Sequence, residues 1–173
     1  MEDIQDDKKI KQWYEKIKIS SELSNVLNEL IGSKEKLETI VEHSEKRNKD
    51  MIRNYFSNTL KIMNDICKNL HAANDYIMII NYKNYEALSN LIFEKITFKS
   101  SYTPLITKYD ELRTLENYLE KKRYNRDQFY FFTITKIAIE EYKKFLTNLW
   151  NYYNIIEDYL DDFENFANIK SHR

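Results

Sequence analysis

The sequence predicts an all-α protein, an elongated helical bundle of about five helices with a long C-terminal helix. Three observations carry that expectation. Only one glycine and one proline occur in 173 residues, so little interrupts regular structure. Apolar residues recur at spacings of three and four through most of the chain. The stretch from Ala138 onward carries three parallel apolar columns without a fault in their rhythm.

The elements follow in order. A first helix runs from Asp7 to Ile31, with Ile10, Trp13, Ile17, Leu23, Leu27, Leu30 and Ile31 on the helical rhythm. Gly32 is expected to close it and Ser33 to cap the next. The second helix starts near Lys34 and shows a seam every 3.5 residues, as in a coiled coil, from Leu37 and Val41 through Tyr55, Thr59, Ile62, Ile66, Leu70, Ala73 and Ile77 to Ile80. Within it "HSEKRNKD", residues 43–50, offers nothing apolar, so the helix either breaks there or projects beyond the core. "NYKN", 81–84, redirects the chain. A third helix covers Tyr85 to Phe98, and "KSSYTP", 99–104, reads as a loop in which Thr103 and Pro104 start the fourth helix. That helix runs to about Lys122, "KKRYNR" turns the chain, and Asp127 caps the last helix.

In the last helix one column holds Ala138, Phe145, Tyr152, Tyr159 and Phe166. A second holds Tyr142, Leu149, Ile156 and Phe163, and a third Ile139, Leu146, Tyr153, Leu160 and Ala167. About three apolar positions in seven make the broad face of a core helix; a two-stranded seam needs two. A helix from Asp127 to Ile169 would be about 60 Å long, at roughly 1.5 Å per residue. A compact domain of this length has a radius of gyration of about 15 to 16 Å, so the bundle must be elongated or the helix bent.

Length favours one domain over residues 1–173, large enough to bury a substantial core. Hydrophobic residues at 42% and charged residues at 32% exclude both a disordered chain and a membrane protein. The longest apolar run, "YIMII" at 76–80, is far short of a membrane span, and the acidic start "MEDIQDDKKI" has no secretory pattern, so a soluble, intracellular protein is expected. Net charge of -1 gives no general attraction to nucleic acid or acidic lipid. Cys67 is the single cysteine, read as a small apolar helix residue, and excludes an internal disulfide. The excess of Lys, Ile, Asn and Tyr over Arg and Gly suggests an AT-rich coding genome, such as that of a phage or mobile element.

Catalytic and metal chemistry find no foothold. His43, His71 and His172 are the only imidazoles, no glycine-rich phosphate loop exists, and neither His43 nor His71 has the acid three residues before it that a carboxylate-bundle metal site uses. No cofactor is expected and the chain reads as a non-enzyme. Trp150 stands out because its column, Lys136, Lys143, Trp150, Glu157 and Glu164, is otherwise charged. Trp is enriched at the energetic centres of interfaces. Tyr130 invites the same reading. Alternatively the indole folds sideways onto Tyr153 or Leu146. The acidic run Glu157, Asp158, Asp161, Asp162 and Glu164 lies near a helix C-terminus, where the macrodipole disfavours negative charge. A basic surface from Lys8, Lys9, Lys11, Lys16 and Lys18 or a partner would offset it, or it is a solvated face.

These residues suggest a protein–protein interaction module, an adaptor, inhibitor or complex subunit. It would bind another protein, a second copy of itself included, through Trp150, Tyr130, Glu157 and Asp161. The alternative is a nucleic-acid-associated accessory protein in which Lys121, Lys122, Arg123 and Arg126 meet phosphates and Tyr124 stacks on a base. Four cations in one turn give only weak, salt-sensitive binding.

Overall fold

The computed structural model describes the backbone of residues 2–44, 49–81, 83–96, 98–121 and 126–171, and the side chains of 9–44, 52–81, 83–96, 102–121 and 129–165. Five helices follow one another among these residues, with no strand: α1 (Glu2–His43), α2 (Lys49–Ile79), α3 (Tyr85–Lys95), α4 (Phe98–Glu120) and α5 (Arg126–Ser171). α1 packs along both α2 and α5, α2 along α3, and α4 along α5, with a lighter contact between α2 and α4. Cross-links to α5 fix the sense of the third rod. Tyr85 meets Leu160 and Phe163, Tyr102 approaches Trp150, and the Tyr142 hydroxyl donates to the Leu105 carbonyl. α3 and α4 therefore descend α5 in succession and together make the third rod, α3 ending at Lys95 and α4 starting at Phe98. The arrangement is four antiparallel rods around one core.

α5 is the spine. Its 46 residues extend about 70 Å, at roughly 1.5 Å per residue. Its columns are buried as their periodicity requires: Ala138, Phe145, Tyr152 and Tyr159; Tyr142, Leu149, Ile156 and Phe163; and Ile139 with Leu160. Leu146 and Tyr153 are half-buried at the edge of the stripe, while Phe166 and Ala167 lie outside the described side chains. Facing them are Leu23, Leu27, Leu30, Leu37 and Val41 of α1 and Ile52, Phe56, Met63, Ile66, Leu70, Ala73 and Ile77 of α2. Each large aliphatic or aromatic side chain so buried contributes about 1.5–3 kcal/mol.

Two buried tyrosines bring their hydroxyls with them, and a buried hydroxyl needs a partner. Tyr142 satisfies its own on Leu105. Tyr152 donates to the Leu70 carbonyl at 2.9 Å and meets the Asn74 carboxamide oxygen, which ties α5 to α2 across the core. Desolvation holds both phenols well above the ordinary range, with the neighbouring Tyr102 and Asp75 charges adding in the same direction. They stay neutral.

The connections differ from expectation in instructive ways. Gly32 does not close the first helix: α1 continues through it to His43, its φ is not positive, and Ser33 stands buried inside the helix instead of capping a new one. Glycine costs a helix only about 1 kcal/mol relative to alanine. Buried Leu30 and Leu37 on either side outweigh that. The break falls instead in the polar block. Ser44 bends the chain, its hydroxyl donating to the Val41 carbonyl at 2.9 Å, and α2 starts at Lys49. The run expected from Lys34 to Ile80 is thus two helices.

"NYKN" does redirect the chain. Asn81 Oδ1 accepts the backbone N–H groups of Lys83 and Asn84, while Asn84 Oδ1 accepts that of Asn81 and Asn84 Nδ2 donates to the last carbonyl of α2, at Ile79. Two asparagines thus order the turn, and Asn84 caps the end of α2.

The stretch 99–104 is not a loop. α4 begins at Phe98 and carries Pro104 inside it, so Thr103 and Pro104 do not start the helix. Leu105 and Leu112 are fully buried against α5, and that packing holds a helix that a proline would otherwise have begun. Asp127 likewise lies one residue inside α5. Finally, Ile10, Trp13 and Ile17 do not share the core face of Leu23 to Leu30. They are exposed.

Candidate functional site

Trp150 sits on the outer side of α5 where α4 lies against it. Its ring is 53% exposed. It is flanked by Tyr153, one turn along α5, at 6.1 Å between ring centroids, and by Tyr102 of α4 at 6.2 Å. The indole therefore leans on two half-buried rings and keeps one face in water. Tyr102 was hidden from sequence reasoning because its segment read as a loop; α4 is helical there, and that places the ring.

Down the same face of α5 come Glu157, half-buried, and Asp161, exposed. The steps from 150 to 153, 157 and 161 are those of one helical face. Tyr153 is held above its ordinary phenol pKa first by its hydrogen bond to Glu157, then by burial and by the charges of Glu157 and Asp161. One turn deeper, Tyr85 donates to the Leu160 carbonyl at 3.0 Å and stacks on Phe163 at 5.0 Å. Burial, with the Glu164 and Asp161 charges behind it, pushes that phenol up to about 12. The surface is an aromatic cluster with an acidic border.

Tyr130 does not join it. It is half-buried and lies 20 positions earlier in α5, about 30 Å away. Of the basic turn, Lys121 is exposed just past the end of α4. Lys122, Arg123 and Tyr124 lie outside the described residues, as does the side chain of Arg126, whose backbone opens α5.

A cleft of about 610 Å³ runs between α1 and α5, floored by Ile19, Ile155, Tyr159 and Phe163 and walled by Lys11 and Lys18 on one helix and Asp158 and Asp162 on the other. Part of the basic face of the first helix therefore does come opposite part of the acidic run. Among the described residues no three His, Cys, Asp or Glu side chains cluster as metal ligands do, and no helix is long and apolar enough to cross a membrane. No protein-family model, curated protein or solved structure matches the chain.

Proposed function

We propose that the chain acts as a non-enzymatic protein-interaction module, one intracellular domain that works as an adaptor, inhibitor or complex subunit. The contact is made through the outer face of α5 around Trp150, bordered by Glu157 and Asp161. The observation that carries this reading is the Trp150 ring, half in water yet braced by Tyr102 and Tyr153. A braced aromatic loses little side-chain entropy on binding, which is the property of an interface anchor. The acidic border suits a partner that presents an apolar patch edged by Lys or Arg.

The test is co-purification from the native host with the wild-type chain and with Trp150→Ser, followed by thermal unfolding of both. The variant is expected to lose the partner and to keep its melting temperature, since the ring is half exposed. Unfolding of the variant would show Trp150 to be structural. Retention on single-stranded DNA or RNA that Lys121→Glu abolishes would favour the basic turn and overturn the proposal.

A further inference from the structure

We infer that the N-terminal part of α1 is a twofold dimerisation surface, on which Ile10, Trp13, Tyr14 and Ile17 of one copy pack antiparallel against the same four residues of a second copy. The inference is independent of the Trp150 face. These residues stand at i, i+3, i+4 and i+7 and so form one stripe, two turns long. They are 53%, 56%, 63% and 39% exposed, the densest group of exposed large apolar residues among those described. Trp13 and Tyr14 already meet edge to face at 5.4 Å, which presents them as one block. The stripe does not face α5, because the residues that line the cleft toward α5 are Lys11, Gln12, Glu15, Lys18 and Ile19.

The occupant follows from the order of the residues. "IKQWYEKI", 10–17, reads nearly the same from either end: Ile matches Ile, Lys matches Lys, Gln matches Glu, and Trp matches Tyr. A twofold contact is made by one patch on both subunits, so that residue i meets j and j meets i. With the axis between Trp13 and Tyr14, an antiparallel copy sets Ile10 against Ile17 and Trp13 against Tyr14, each twice. Lys9, Lys11 and Lys18 are exposed beside the stripe, and Lys16 is half-buried. An anionic lipid surface fits less well, because Glu2, Asp3, Asp6 and Asp7 precede the stripe and would be repelled.

Size sets the strength. A standard interface covers about 800 Å² per partner, and a fully covered aromatic removes about 150–250 Å², so four half-exposed side chains supply on the order of half of it. The dimer is therefore reversible and concentration-dependent.

Sedimentation velocity of the full chain over roughly two decades of concentration tests this. The expected result is a shift from one to two times 21.1 kDa. Ile10→Glu combined with Ile17→Glu should stay monomeric throughout with unchanged helical circular dichroism. Trp150→Ser should dimerise like the wild type, and its one remaining indole, Trp13, should shift its emission to the blue as dimer forms. A wild type that is monomeric throughout, a double variant that still dimerises, or loss of the dimer on Trp150→Ser alone would overturn the inference. So would cosedimentation with phosphatidylserine vesicles that the double variant loses, which would assign the stripe to lipid.

Discussion

At Tyr152 one hydroxyl links α5 to α2 through the core. Tyr152→Phe removes the donor to Leu70 and leaves the Asn74 carboxamide buried without its partner. A buried polar group so stranded costs about 1–3 kcal/mol. Urea unfolding should show a loss of that size with an unchanged slope. Gly32 offers the opposite case. A Cβ built there meets nothing within 4 Å and the backbone is helical, so Gly32→Ala should add about 0.5–1 kcal/mol in the same assay. The exposure of Trp150 was legible at this scale because its column is otherwise charged. Its neighbour Tyr102 was not, because nothing in "KSSYTP" reveals a helix held from outside.

At the scale of the helix, periodicity was a better guide than punctuation. The columns of α5 could be read from Ala138 to Phe163 because each apolar residue repeats the bearing of the one seven before it, and burial rewards that regularity. Gly32 and Pro104 misled because their local cost is smaller than the packing on either side. Pro104 still exacts a penalty, since it removes a backbone donor within α4. Pro104→Ala should therefore stabilise the protein by about 1–3 kcal/mol in thermal or urea unfolding, the upper end being reached if little is lost through a looser unfolded chain. The outward stripe of α1 carried its own warning. From Ile17 to Leu23 is a step of six, which swings the bearing by about 120° away from the core line at 100° per residue. A spacing of three or four shows that a face is apolar; only the neighbouring rods decide what covers it.

At the scale of the whole molecule the core is rich in phenols and a thiol that fold in the neutral form. Burial pushes Cys67 from an ordinary 9.0 up to about 11, and Tyr85 from 10.0 up to about 12, while Tyr142 and Tyr152 are also raised. The folded state thus holds protons that the unfolded chain releases first. Stability from these groups is complete below pH about 9 and falls as pH rises through the window from about 9 to about 12. Melting temperatures measured from pH 7 upward should decline above pH 9, and the decline should be shallower in Tyr152→Phe.

α1 and α5 are the closest partners in the bundle, yet they are the first and the last of its helices. Leu23, Leu30 and Leu37 are fully buried in a core that α2 and α5 both complete, and α5 is synthesised last. A nascent chain therefore carries a greasy groove through most of its translation and closes it only when α5 has left the ribosome. Pulse-labelled chains truncated before Phe131 should accordingly be captured by chaperones and digested by protease, whereas chains extended past Phe163 should resist both.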